Sequence, residues 1–332
     1  MASIVAAFGA SHSIMLVARR EDWQHGFREA DKRNPYFFDR EGVHRSYDEL
    51  LAVAPADAAE RVTPARMSER FDRTHAAISA LKARIAAARL DVLVVVGDDQ
   101  TELFRTTTNP AFAIYYGATI RNAKAEPVGE ETPWFQRARQ VRLEPGADRD
   151  YPVRGDLAEW LIRGLSDRDF DIAAMSGLEP GQFEGHAFSF VHRCLLAEPI
   201  VPIVPVVLNT FDPPNQPTPR RCVQLGAALR ELLAAWPQAL RVGLLASGGL
   251  SHFVVDEELD GLVLDAIRAK DSAALAALDP RRLQAGSSEI RNWLVVADAA
   301  RDLRFDWAEY IPAVRTPALT GTGLCFAAWE AQ

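Results

Sequence analysis

Two histidines of this chain sit in the same kind of place. Ile4-Val5-Ala6-Ala7-Phe8-Gly9-Ala10-Ser11-His12-Ser13 runs from apolar residues through small ones to a Ser-His pair, and Ala246-Ser247-Gly248-Gly249-Leu250-Ser251-His252 repeats that layout far along the sequence. A side chain just past a buried strand emerges where α/β sheets open their ligand crevices. Imidazole titrates near neutral pH, so histidines facing one crevice can take up a proton and return it. Each histidine alone reads equally well as a hydrogen-bonded turn residue. The repetition favours an active site gathered from distant parts of the chain.

The elements that must carry these residues are legible as short apolar runs followed by helical patterns. Ile4 to Phe8 is the first strand, Asp91 to Gly97 the clearest, and Phe170 to Ala174, Ile200 to Leu208 and Arg241 to Ala246 follow. Thr63-Pro64 starts a helix, Thr as N-cap and Pro at the first helical position. It continues to about Arg89 with Ala77, Leu81, Ile85 and Ala88 on one face. Helices are expected over Arg221 to Trp236, Glu257 to Leu278 and Ser288 to Arg301. Continuous apolar strands alternating with helices predict a mixed, largely parallel sheet flanked by helices, in one compact α/β domain over 1–332. The polar stretch at 19–60 reads as an irregular insertion or lid with short helices. The proline-rich segment Asn209 to Arg221 is a stiff loop, and Gly-rich Ala318 to Gly323, which lacks the Lys of a phosphate loop, reads as a turn.

Bulk properties narrow the classes. The chain has 332 residues, enough for a sizeable core, with 45 acidic against 37 basic residues. That balance argues against a nucleic-acid partner. No apolar run approaches the ~20 residues that span a bilayer. The N-terminus lacks a basic, cleavable leader pattern, so a cytoplasmic protein is expected. Cys194, Cys222 and Cys325 lie far apart without CxxC spacing and read as reduced thiols.

Several islands together resemble one family. They are Ser11-His12-Ser13, Gly97-Asp98-Asp99-Gln100-Thr101-Glu102-Leu103-Phe104, Glu184-Gly185-His186-Ala187-Phe188, Ser247-Gly248-Gly249-Leu250-Ser251-His252 and Gly286-Ser287-Ser288-Glu289-Ile290-Arg291-Asn292-Trp293. In this order the chain resembles the class III extradiol ring-cleavage dioxygenases, the superfamily of protocatechuate 4,5-dioxygenase catalytic subunits. Asp31-Lys32-Arg33-Asn34-Pro35 and Pro213 to Arg221 look most like the single-chain 3-O-methylgallate dioxygenase branch. The resemblance implies Fe(II) on two histidines and a carboxylate, with open positions for a catecholate and O2. His12 and Glu289 match ligands, His252 matches the histidine that moves protons, and His186 a further pocket histidine. The implied partners are a small aromatic acid and O2, with a homodimer as the expected assembly. A hydroxypyridone-type ring is a variation on that substrate.

One position departs from the pattern: Gln100 stands where the family's second iron-binding histidine follows an Asp. Three readings stay open. Gln100 ligates the metal through its amide oxygen, it orients a metal-bound water, or Asp98, Asp99 or His44 takes the place. A metal-poor relative that binds a small aromatic, or a hydrolase using another divalent metal, would also accommodate a glutamine there. Glu289 alone would be a helix-start carboxylate stabilised by the dipole, and Asp98 and Asp99 alone would close a turn. Asp99 is the candidate for orienting a ligand. Ser251 and Arg220 are candidate substrate contacts, although Arg220 and Arg221 fit a surface position equally. His192 reads as a core histidine, His25 and His75 as solvated, and His44 as surface.

Overall fold

Valine and leucine crowd the run Val92–Asp98, and every residue of that strand is buried. Such a strand needs cover on both faces. In the computed structural model, which describes residues 1–104 and 107–331, it lies at the centre of a nine-stranded sheet. Ser3–Ala10, Arg241–Ser247, Val92–Asp98 and Ile203–Leu208 are neighbours in that spatial order and all parallel. Their carboxyl ends therefore open along one edge, the place for a ligand crevice. Thr320–Glu330 pairs antiparallel with Ser3–Ala10 and, further along the same edge, with the short His252–Val254 strand; Arg304–Val314 pairs along its other edge. At the opposite flank Phe112–Tyr115 runs antiparallel to Ile203–Leu208 and parallel to Ala173–Met175.

The result is one compact α/β domain with a mixed sheet, parallel at its centre and flanked by helices. On one face lie Gly155–Ser166, Pro219–Ala234, Glu257–Ala269 and Ile290–Ala299, sending Leu161, Leu229, Val263 and Val295 into the core. On the other, Pro64–Ala87 buries Ala77, Leu81 and Ile85 together with Phe188 and Phe190. Thr63 caps Pro64–Ala87 by accepting from the Arg66 amide, as its sequence predicts. No helix among the described residues is long and apolar enough to cross a membrane.

Three expectations are corrected. Ala318 to Gly323 is not only a turn, because Thr320 begins an eleven-residue strand. Glycine and alanine hide the strand pattern there, and Gly323 is small for a reason: a Cβ would stand 2.1 Å from Asp260 Oδ2. The helix expected over Glu257 to Leu278 is two helices, Glu257–Ala269 and Ser272–Ala276, parted where Lys270 turns left-handed at φ 56°. The strand expected at Phe170 to Ala174 is confined to Ala173–Met175.

Residues 19–60 carry helices Arg20–Gln24, Gly26–Asp31 and Tyr47–Ala52 and a hairpin of Phe37–Phe38 with His44–Arg45. The segment is tied down: buried Asp31 accepts from Arg315 Nε at 3.0 Å and Nη2 at 2.9 Å, and from Thr320 Oγ1 at 2.6 Å. Its hairpin reaches the crevice edge, where Phe38 and His252 line one small cavity.

Candidate active site

Ser11 fastens the first strand end, donating its amide to the Cys325 carbonyl and accepting the Cys325 amide at its hydroxyl. His12 follows, almost fully buried. Its Nδ1 meets Ser247 Oγ at 3.0 Å, and that hydroxyl donates to the Ala187 carbonyl at 2.8 Å. A hydroxyl that gives its proton to a carbonyl accepts at its other side, so Nδ1 carries the hydrogen and Nε2 the lone pair. Nε2 looks onto Glu289 Oε2 at 3.3 Å, Asp98 Oδ1 at 3.6 Å and His186 Nε2 at 3.2 Å.

Each neighbour is fixed by a different element. Asp98 ends its buried strand, and its Oδ1 accepts from Asn292 Nδ2 at 3.2 Å. Glu289 closes the short turn Ala285–Glu289, and its Oε2 accepts from the Gly249 amide at 2.7 Å. His186 opens the helix His186–Phe190, and Glu102 Oε2 accepts both its backbone amide at 2.9 Å and its Nδ1 at 2.6 Å. One donor atom each from His12, Asp98, His186 and Glu289 falls within 4.8 Å of the others. Trp293 locks this corner by donating Nε1 to the Gly248 carbonyl at 2.8 Å. Gly9 permits it, since a Cβ there would meet the Trp293 ring at 2.2 Å.

His252 stands beside the cluster. Its Nδ1 faces the Leu250 carbonyl at 2.7 Å, and its Nε2 lies 3.2 Å from Glu289 Oε1. The ring occupies a slot that only glycines leave open: a Cβ would meet it at 2.8 Å from Gly249 and 2.1 Å from Gly286. A carbonyl cannot donate, so Nδ1 keeps its hydrogen and Nε2 is the atom that titrates.

Burial and charge set the protonation of the group. Burial, reinforced by Glu289, pushes Asp98 up to about 6 against the pull of His12 and His186. Burial opposes ionisation of Glu289 too, but His252 and His12 overcome it and hold that carboxyl well below the usual range. Burial works against a charged His252, and Glu289 outweighs it, so His252 titrates above the ordinary imidazole value. The same contest at the neighbouring pair leaves His186 at about 9 and Glu102 at about 2, burial being beaten in each by the partner's charge.

The other residues named from sequence divide. Gln100 is at the cluster, but its Nε2 faces Asp98 Oδ2 at 3.3 Å and Glu289 Oε1 at 3.4 Å. Facing carboxylate oxygens, the amide donates through Nε2. Asp99 touches none of the converging atoms; it accepts the amides of Glu102, Leu103 and Phe104 at 3.1, 2.8 and 3.0 Å and so shapes the loop that presents Glu102. Ser251 is buried and committed, donating to Asp260 Oδ2 at 2.7 Å and accepting the Asp256 amide at 2.8 Å, which leaves no hydroxyl for a substrate. Arg220 is exposed in the first turn of Pro219–Ala234, and Arg221 stacks over Phe170 at 4.7 Å.

His44 is exposed and bonded to the Pro35 carbonyl, which removes it from the ligand question. His192 is a core histidine, paired with Glu184 at 2.7 Å and stacked on Tyr151. His25 is exposed; His75 is half-buried against Phe71. Sequence reasoning gave no role to Glu102, Ser247 or Asn292. All three lie inside the quoted islands, and the signal was their polarity at positions flanking a histidine or a ligand.

Comparison with known proteins places this geometry. Residues 60–310 match the family described as the catalytic LigB subunit of aromatic ring-opening dioxygenase, and the chain belongs to that family. A gallate dioxygenase of Pseudomonas putida KT2440 is 33% identical over 152 residues, which is 42% of this chain and 41% of that protein. The matched stretch is thus less than half of the curated relative. An uncharacterized protein of Escherichia coli K12 aligns with a TM-score of 0.38 and 12% identity, covering 75% of this chain and 91% of that one.

Proposed function

We propose that the chain is a non-haem Fe(II)-dependent extradiol dioxygenase that opens the ring of a catecholic or gallate-like acid and adds both atoms of O2. The observation that carries this reading is the convergence of His12, Asp98, His186 and Glu289 at one buried point. Imidazole nitrogens and carboxylate oxygens suit a divalent first-row ion, and two carboxylates would offset its charge. His12 and Glu289 would hold the iron, with Asp98 and His186 beside them. Bound there, Fe(II) supplies the one-electron chemistry that lets dioxygen react with an aromatic ring.

The chain's own residues supply the rest. Leu250 fixes the His252 ring so that Nε2 takes a phenolic proton from the substrate and later returns it. Glu289 raises the proton affinity of that nitrogen, so the proton stays on His252 until a more basic oxygen develops. Glycines on both sides of the ring leave the room it needs to occupy this position. A 3-O-methylgallate- or protocatechuate-type acid is the proposed substrate, and a cytoplasmic catabolic enzyme the proposed setting.

Anaerobic Fe(II) titration followed by oxygen uptake with catechols, gallates and hydroxypyridones tests the proposal. One iron per chain and substrate-dependent uptake support it. Stoichiometric iron without uptake on any ring defeats it. Uptake only after Mn(II) loading would move the metal assignment, since a second carboxylate makes the site oxygen-rich.

A further inference from the structure

We infer that Glu102 is a positioning residue that makes His186 the second imidazole of the metal centre, in the role that Gln100 does not fill. The inference rests on the metal-dependent reading above and names residues that reading leaves unassigned. Four observations carry it.

First, position 100 presents its amide nitrogen to Asp98 and Glu289, acting as a donor to the carboxylates. Second, His186 Nε2 reaches the same point from a separate loop, 3.2 Å from His12 Nε2 and 3.7 Å from Asp98 Oδ2. The rings meet edge to face with centroids 4.5 Å apart. Two imidazoles whose Nε2 atoms aim at each other, each with Nδ1 anchored elsewhere, have the arrangement that a shared cation requires. Third, a single oxygen of Glu102 holds both the backbone and the ring of His186. Metal-bound histidines commonly give their other ring hydrogen to a carboxylate, which fixes the tautomer and raises ligand basicity. Fourth, Glu102 is itself built in. Asp99 gathers three amides of its loop, and Gln182 Nε2 donates to the Leu103 carbonyl at 3.1 Å from the loop that precedes His186. A Cβ on Gly185 would come 3.0 Å from Glu102 Oε2, so a small residue there lets the carboxylate approach.

The arrangement also explains how the chain departs from its family's pattern at Gln100. The island Gly97 to Phe104 still builds a metal-site wall, but contributes through Asp98 and, one residue beyond Thr101, through Glu102 acting on a histidine from another loop. Gln100 bridges the two carboxylates by donating to both, which a neutral imidazole with a single N–H could not do.

The test is metal binding, read without turnover. Anaerobic Fe(II) and Co(II) titrations of the wild type, Glu102→Ala, Glu102→Gln and Gln100→Ala are compared. Loss of a carboxylate behind a metal-bound histidine costs ~10–100-fold in metal affinity, and that is expected for Glu102→Ala. Glu102→Gln keeps an acceptor oxygen and should recover most of it. Gln100→Ala should cost at least tenfold less than Glu102→Ala. The Co(II) visible spectrum should shift in Glu102→Ala and hold in Gln100→Ala.

Because Glu102 also holds a backbone amide, folding is checked separately, and a second measurement needs no variant. With Zn(II) bound to the wild type, ¹⁵N imidazole spectra should show Nδ1–H and metal-shifted Nε2 on two histidines, His12 and His186. Only one metal-shifted Nε2, or a Gln100→Ala loss exceeding that of Glu102→Ala, overturns the inference. A wild type that binds no metal ends both this inference and the dioxygenase proposal. Iron bound without oxygen uptake ends the dioxygenase proposal alone, and the affinity series still decides the role of Glu102.

Discussion

The two imidazole arms of the site are built alike and anchored differently. His12 leans on Ser247, a neutral hydroxyl on the neighbouring parallel strand, with both side chains buried in the sheet edge. His186 leans on Glu102, a carboxylate more than a third exposed, on a loop held by Asp99. A hydroxyl that donates onward to the Ala187 carbonyl accepts from His12 Nδ1 and aims Nε2 at the cluster. A carboxylate partner favours the imidazolium, so the second arm carries a proton that a metal must displace. One arm is oriented by a neutral partner; the other is oriented by a charged one and binds metal against a competing proton.

Substitutions rank the parts of this contrast. His12→Ala and Glu289→Ala should each abolish Fe(II) retention through desalting, measured by iron content, because each removes a donor from a buried set that nothing else can complete. Retention in His12→Ala equal to wild type would show that the second arm suffices. His252→Phe should keep the iron and slow turnover by ~10²–10⁴, the usual worth of a positioned acid–base group. If that variant folds but loses the metal, His252 is a ligand and the division of roles is wrong.

The pH dependence separates the arms directly. His186 binds its proton up to about 9, above the ordinary imidazole value, so at neutral pH it is largely protonated. Metal binding then releases that proton, and apparent affinity should rise by about tenfold per pH unit from 7 toward 9, then flatten. In Glu102→Gln the rise should level off at lower pH, since the carboxylate that holds the proton is gone. A flat profile in the wild type would mean that His186 stays outside the coordination set. The smallest effect is expected at the neutral anchor: Ser247→Ala should weaken Fe(II) binding by about tenfold or less, at the low end for a lost orienting group. A larger loss than in Glu102→Ala would reverse the comparison.

What could be read in advance follows from the range of the interactions involved. Strand Val92–Asp98 was visible because burial on both faces demands an unbroken apolar run. Helix Pro64–Ala87 was visible because Thr63 and Pro64 announce its start locally. The hairpin of Arg304–Val314 with Thr320–Glu330 was not, because Thr320–Glu330 also pairs with the distant Ser3–Ala10 and its Gly323 answers to Asp260, contacts no local pattern records. Arg220 and Ser251 were plausible by residue type, yet one faces solvent and the other is spent on Asp260.

Residue type and position place histidines after strand ends, and the family resemblance groups His12, Glu289 and His252 in one expected site whose position 100 lacks an imidazole. Those are statements about residue type and position along the chain, and the parallel sheet brings the strand ends together in a different spatial order. Which atoms meet is settled by the folded chain. The donation from Gln100, the approach of His186 and the grip of Glu102 depend on loops fixed by long-range hydrogen bonds. Spacing along a chain carries no information about such distances, because a loop's path is set by what it packs against.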